Sequence, residues 1–453
     1  MGESLLSVGL DVGTTTTQLI VSRLQIENQA SVFTVPRLEI AGREILYRSE
    51  VVFTPLLGQD LVDGKAIAEF VKRQYELAGI RQEQVDTGAV IITGETSRKE
   101  NARAVLEALS SFAGDFVVAT AGPELESVLA AKGAGAVEYA RQTGKRVLHM
   151  DIGGGTSNLA LIEKGEILAT GCLNVGGRLV KLEQGRVCYI SPVVADLTCL
   201  KAGDVPQPGQ LEALAALLTQ ALEMAAGLTP ATPLMEKLTT REVGQPWIVP
   251  EPGAVISFSG GVADCIDEKR APGAFGDMGG ELGQAIKKSR LCEQEYRLGS
   301  HTIRATVIGA GCHSAQLSGS TVYCRGVQLP LKNLPVASLS EPVTPQGIAQ
   351  SISQTDCENP VLALKGNADG YDGLCRLAQV LAESRKNQPV YLCLEKDLAK
   401  ALGQRLSLIL PPETPILCLD GVQPGQNSFL DVGRPVGSAF PVVVKTLVLE
   451  QQK

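Results

Sequence analysis

Residues 11–21 of this chain, DVGTTTTQLIV, recur in altered form at 151–161 as DIGGGTSNLAL. Aligned without a gap, Asp11 falls on Asp151, Val12 on Ile152, Gly13 on Gly153, Thr16 on Thr156 and Leu19 on Leu159. Each copy follows an apolar run (LLSVGL, RVLHM) and leads into another (TQLIVS, SNLALI). The pattern predicts strand, tight turn, strand, used twice, and so a fold with two related halves. Such a turn suits a phosphate. Glycine lets backbone N–H groups approach and point at an anion, and small hydroxyls add donors. A carboxylate at the strand end can hold a divalent cation, usually through water. Asp11 and Asp151 are the candidate cation ligands. Gly13, Thr14, Thr15 and Thr16 in one copy, and Gly153, Gly154, Gly155 and Thr156 in the other, are the candidate phosphate cradle. Of the three threonines two are expected to reach a phosphate, because consecutive strand residues alternate in direction. One D-x-G turn alone is ordinarily a hairpin. Two with the same flanks outline a nucleotide site.

Composition bounds what else the chain can be. Its 453 residues exceed one ordinary core, and two or three domains are expected. A net charge of −8 argues against a dominant nucleic-acid role, since phosphate contacts favour a basic face. The 11 cysteines include no C-x-x-C, and with 3 histidines they make no evident zinc set. They are expected to be small buried hydrophobes in a reducing cytoplasm. Leu6 breaks the myristoylation pattern that Gly2 would begin. No signal peptide and no bilayer-length apolar run are found, so a cytoplasmic, non-membrane protein is expected.

Changes of period mark the organisation. Residues 30–56 alternate as further strands of a mixed sheet, and 64–78 read as a helix closed by Gly79. AVIITGE is a buried strand, SRKENARAVLEALSSFA a helix, DFVVATAG a strand and 123–142 one helix. Three strands open the second half at 146, followed by a helix near 208–227, a Pro-rich irregular stretch at 229–253 and a Gly-Gly turn. Beyond 335 strands and helices alternate as a β/α layer. The predicted domains are 1–145, 146–334 and 335–453. GNADGYDGLC departs from G-x-G-x-x-G and reads as the start of a helix, with Asp369 and Asp372 solvated. His313 is expected to be packed or capped, and Arg98 and Lys99 to begin an exposed helix.

The paired turns resemble the two phosphate motifs of the actin-like ATPase superfamily. That resemblance implies duplicated ribonuclease H-like lobes with mixed sheets, here followed by a C-terminal β/α region. It also implies an acidic residue on a connecting helix, met in GPELESVLAAKGAGA (122–136) by Glu124 or Glu126. AVISFSGGVAD (254–264) matches the turn that lies against adenosine, through Gly260 and Gly261. TVIGAGCHSAQLSG (306–319) matches the second connecting helix, with Gly309 counted among the nucleotide contacts.

ITGETSRKENA (92–102), FGDMGGELGQAI (275–286), IGAGCHSAQLSGST (308–321) and DVGRPVGSAFPVVVKTLVL (431–449) together look like the ethanolamine ammonia-lyase reactivating factors. The similarity runs from the first phosphate motif to the C-terminus. It implies ATP and Mg²⁺ as cofactors and ATP hydrolysis in service of a chaperone-like role. The implied partner is a cobalamin-dependent lyase, ethanolamine ammonia-lyase, which is freed of a damaged cofactor. A bacterial microcompartment for ethanolamine use is the implied alternative to the open cytoplasm, and self-association is left open. The rivals on the same fold are a small-molecule kinase, an ATP-dependent hydantoinase-type hydrolase subunit and a filament-forming protein.

Overall fold

The computed structural model describes residues 4–13, 16–28, 38–57, 61–93, 101, 105, 109, 119–120, 123–240, 247–268, 273–313, 316–319, 321–355, 357–366, 370–386, 388–422, 424, 428–437 and 439–446. Thr14, Thr15, Arg98, Lys99 and Asp369 lie outside them, as does most of the helix expected from Ser97.

The first lobe is built on β1 (Ser4–Val12), β2 (Thr16–Asn28), β3 (Leu38–Arg48) and the short β4 (Val52–Phe53), then a small hairpin of β5 (Leu56–Leu57) and β6 (Leu61–Val62). Helix α1 (Gly64–Ala78) places Ile67, Val71 and Tyr75 on one buried face, and Asp63 caps it by accepting from the N–H groups of Lys65 and Ala66. β7 (Thr87–Ile92) and β8 (Ala119–Thr120) complete the sheet in the order β3-β2-β1-β7-β8. β1 pairs antiparallel with β2 and parallel with β7, so both of its edges are paired, and it is almost continuously buried.

Two helices follow where the apolar pattern predicts one. α2 (Pro123–Gly133) and α3 (Ala136–Thr143) are divided at Gly135, which adopts φ 77°. The second lobe then repeats the first with β9 (Val147–Ile152), β10 (Ser157–Glu163) and β11 (Glu166–Leu173), and a side hairpin of β12 (Val180–Glu183) and β13 (Arg186–Ile190). α4 (Gln210–Ala225) is followed by α5 (Pro233–Leu238), a short helix inside the stretch expected to be irregular. β14 (Val255–Ser259), α6 (Asp264–Asp267), α7 (Gly279–Lys287), α8 (Arg290–Glu293) and β15 (Tyr296–Leu298) close the lobe.

The sheet order is β11-β10-β9-β14-β15, again an antiparallel trio with two parallel strands added beside the first. The two sheets therefore share one topology, that of the duplicated actin-like, ribonuclease H-like fold. Phe258 is fully buried in the second lobe's main core, where such a side chain contributes roughly 2–3 kcal/mol.

The lobes exchange helices. α3 packs on the second sheet through Ala136, Val137 and Ala140 against Val147, Ala160 and Val255. α9 (Ala305–His313), shorter than the 306–319 read from sequence, packs on the first sheet through Val307, Ile308 and Cys312 against Ile20. α2 and α9 cross each other closely. A Cβ on Gly133 would stand 1.9 Å from the Ala305 carbonyl oxygen, and one on Gly309 would stand 2.1 Å from that of Leu129.

The third region is one eight-stranded sheet that takes in β16 (Gln316–Leu317) and β17 (Tyr323–Arg325), both ahead of residue 335. β18 (Leu331–Leu339), α10 (Pro345–Ser353), β19 (Val361–Leu364), α11 (Gly370–Ser384), β20 (Val390–Leu394), α12 (Ala399–Ile409), β21 (Ile416–Asp420), β22 (Ser428–Val432) and β23 (Pro441–Thr446) follow. β18 to β21 run parallel, the β/α layer read from the sequence. Leu430, Val432 and Val442 share a core with Val361, Cys393 and Leu417, so one apolar cluster runs from β23 across the sheet to β21.

Gly309→Val should drive α2 and α9 apart and cost about 2 kcal/mol of stability, the usual price of overpacking. Urea denaturation followed by circular dichroism checks this. Gly155→Ala, whose new Cβ meets nothing within 4 Å, should leave the midpoint unchanged.

Candidate functional site

The two repeated turns face each other. Asp11 and Asp151 each occupy the penultimate position of their strand, β1 and β9. In each copy the glycine N–H donates across the turn to a threonine carbonyl, Gly13 to Thr16 and Gly153 to Thr156, both at 2.9 Å. These two N–H groups therefore close the hairpins. The N–H groups of Gly154 and Gly155 have no protein partner among the described residues. Gly13, Thr16, Gly153, Gly154, Gly155, Thr156, Gly260 and Gly261 all line one cavity of about 140 Å³ together with Asp11 and Asp151. Gly260 sits at φ 86° with its Cα so close to β9 that a Cβ would meet the Ile152 carbonyl oxygen at 2.3 Å, so no other residue fits there without displacing the strand end.

The connecting helix resolves one alternative. Glu126 on α2 is buried and lines the cavity, whereas Glu124, two residues earlier, is exposed and lies outside it. Two residues along a helix are about 200° apart, so only one of the pair can face inward. Glu124 is thus corrected as a site residue. Gly309 is corrected too: it belongs to the α2–α9 crossing and does not line the cavity. His313 is half-buried at the end of α9, and Asp372 is exposed in the first turn of α11. Of the cysteines, Cys172, Cys265, Cys312, Cys393 and Cys418 are buried as expected, but Cys188, Cys199 and Cys324 are exposed.

Three buried carboxyls dominate the electrostatics. Burial pushes Asp11 up to about 7, with Asp151 adding repulsion and a bond from Thr93 opposing it. Burial likewise raises Glu126 to about 8, with Asp11 and Asp151 adding to the shift, and Asp151 to about 6. Among the described residues no three His, Cys, Asp or Glu side chains are grouped closely enough to ligate one metal directly. The donor set fits a cation that keeps its water and is held through it, as Mg²⁺ commonly is.

Several lining groups lie beyond the motifs. Thr93 Oγ1 donates to Asp11 Oδ1 at 3.1 Å, Ser259 Oγ donates to Asp151 Oδ1, and Thr306 Oγ1 reaches Asp151 Oδ2 at 3.4 Å. Gln18 stands opposite Asp11 in the β1–β2 register, and Asn158 opposite Asp151 in the β9–β10 register. The same gap-free alignment that pairs the aspartates pairs these amides. Asn158 Nδ2 donates to Glu126 Oε2 at 3.3 Å and Gln18 Nε2 to the Ile303 carbonyl at 2.9 Å. The oxygens Gln18 Oε1 and Asn158 Oδ1 are both buried with no partner among the described residues. A buried acceptor left so costs about 1–3 kcal/mol, which a hydrated cation's water would recover.

A larger cavity of about 750 Å³ shares Thr16, Gly153, Gly154 and Gly261 with the first. Across its mouth the Arg178 guanidinium stands 5.1 Å from the Phe53 ring centroid, and its Nε donates to Asp277 Oδ2 at 3.2 Å. Phe53 belongs to the first lobe and Arg178 to the second, so this contact spans the cleft.

The chain is 41% identical over 473 residues to the ethanolamine ammonia-lyase reactivase EutA of Salmonella typhimurium (strain LT2), covering 98% of both chains. It is 40% identical over 463 residues to the protein of the same description from Escherichia coli (strain K12), again over 98% of both. Among solved structures, the ethanolamine utilization protein EutJ from Carboxydothermus hydrogenoformans is 17% identical and covers 68% of this chain and 89% of its own, with a TM-score of 0.34. The family described as ethanolamine utilisation protein EutA matches residues 3–450, and the chain belongs to it.

Proposed function

We propose that this protein is an ATP-dependent reactivating factor for ethanolamine ammonia-lyase, which releases damaged cobalamin so that fresh adenosylcobalamin binds. The observation that carries the reading is the similarity, over 98% of both chains, to two relatives described as reactivases of that enzyme. The lyase's setting then sets this protein's own, the cytoplasm or a bacterial microcompartment for ethanolamine use.

The site residues have separable roles in this reading. Asp11 and Asp151 hold hydrated Mg²⁺ from opposite lobes, with Gln18 and Asn158 accepting from its water. The free N–H groups of Gly154 and Gly155, with the hydroxyls of Thr16 and Thr156, bind phosphate oxygens. Gly261 and the larger cavity behind it take the nucleoside. Glu126 orients the attacking water, since hydrolysis needs a placed water and charge stabilisation rather than covalent chemistry. Bound cation supplies neutralisation of the phosphate charge. Loss of the terminal phosphate removes contacts to both lobes at once and changes their preferred closure.

Three outcomes test the reading. Inactivated ethanolamine ammonia-lyase holding damaged cobalamin should regain activity with this protein, ATP, Mg²⁺ and fresh adenosylcobalamin. Recovery that ignores ATP, or none at all, counts against it.

Asp11→Asn, Asp151→Asn and Glu126→Gln should each lower ATP hydrolysis at least about a hundredfold with the circular dichroism spectrum unchanged. Glu124→Gln should hydrolyse at the wild-type rate.

The third outcome concerns pH. Unfolded carboxyls of these types titrate near 4. Folded Asp151, Asp11 and Glu126 hold protons to about 6, 7 and 8. In chelator the folded state therefore binds more protons than the unfolded state through this window, and the three groups make stability fall as pH rises from 5 to 8. Mg²⁺ with ATP should raise the melting temperature at pH 8 and have little effect at pH 5. A stabilisation that is equal at both pH values would remove the carboxyls from the cation site.

A further inference from the structure

A polar row crosses the core of the second sheet beneath Asp151. His149 on β9 is fully buried and stands opposite Ser257 of β14, which in turn stands opposite Arg297 of β15. His149 Nδ1 lies 3.1 Å from Ser257 Oγ and Nε2 lies 3.0 Å from Ser259 Oγ. Ser259 Oγ is bonded in turn to Asp151 Oδ1.

The direction of each bond follows from the last one. An ionised carboxylate only accepts, so the single Ser259 proton goes to Asp151. Toward the ring Ser259 must then accept, which places the imidazole proton on Nε2 and leaves Nδ1 to accept from Ser257. The ring is held neutral in this arrangement by its burial and by the nearby Arg297 charge. Each of the four groups has one role, and the chain ends on Asp151.

The fold does not demand this row. The alignment that places Asp11 on Asp151 places Gly9 on His149, and Gly9 faces Ala89 of β7 where His149 faces Ser257. The first lobe thus builds the same sheet with two small residues that lack polar side chains. Buried polar groups cost stability unless hydrogen-bonded, and here the bonds run toward one carboxylate.

Resting on the proposed cation role of Asp151, we infer that His149 is a positioning residue, which acts through Ser259 to hold the Asp151 carboxylate in its cation-binding orientation. Ser257 fixes the ring tautomer that this requires.

The test is the Mg²⁺ dependence of ATP hydrolysis by the full-length protein. His149→Leu and Ser259→Ala should each raise the Mg²⁺ concentration for half-maximal rate about tenfold, the scale of one bond to a charged group. His149→Gln, whose amide can still donate to Ser259, should stay within about threefold of wild type. The double variant should be no worse than Ser259→Ala alone, because His149 acts through that hydroxyl. A folded His149→Leu with wild-type Mg²⁺ dependence overturns the inference, and so do multiplying effects in the double variant. Should His149→Leu fail to fold, Ser257→Ala replaces it: a rise of about threefold in the Mg²⁺ requirement supports the relay, and no change overturns it. A wild-type protein that neither binds nor hydrolyses ATP with Mg²⁺ would instead defeat the functional reading itself.

Discussion

The crossing of α2 over α9 is the contact on which the rest of the molecule depends. Each helix brings a glycine to the other's backbone, Gly133 against Ala305 and Gly309 against Leu129. The approach is closer than any side chain would allow. It sets how near the ends of β1 and β9 come, and so whether Asp11 and Asp151 share one cavity. It also fixes which face of α2 looks inward, and Glu126 lies on that face. Neither lobe alone builds the site, because its third carboxyl is carried by a helix between them.

Much of this was legible in the residues. The gap-free repeat at 11–21 and 151–161 implies two copies of one hairpin, and both hairpins close with the same 2.9 Å bond. The choice between Glu124 and Glu126 was not legible, since helix periodicity separates the two faces but does not say which one is covered. Gly309 illustrates the converse problem. A small-residue run serves equally for approach to a ligand and for approach to another helix, and only the partner tells them apart. Gln18 and Asn158 were visible as amides at matched positions, but an uncharged polar residue in a strand gives little chemical signal until its partner is known. The exposed Cys188, Cys199 and Cys324 escape a rule drawn from average burial.

The two halves of the repeat have diverged in a manner that follows their neighbours. α9 comes down onto β1 at Gly9, where a Cβ would stand 2.6 Å from the Val307 carbonyl oxygen. The matched position in the second sheet is His149, part of a hydrogen-bonded row. The same backbone thus supports a tight helix contact in one lobe and a buried polar chain in the other. Symmetry of fold has not kept symmetry of support: Asp11 is held by Thr93 from β7's end, and Asp151 by Ser259 and Thr306.

The eight-stranded sheet has a further consequence through its place of attachment. Val443 of its β23 packs with Leu5, Leu24 and Ile26 at the far ends of β1 and β2, and among the described residues no apolar cluster joins that sheet to the second lobe. The sheet's described apolar attachment is therefore to the first lobe. The α2–α9 crossing lies near the phosphate turns, while the sheet hangs from the opposite ends of β1 and β2. If the proposed change of lobe closure turns about that crossing, a small rotation there becomes a longer sweep at the sheet's outer edge. The third region is in this sense the long arm of the molecule, and β1 and β2 are the beam that connects it to the site.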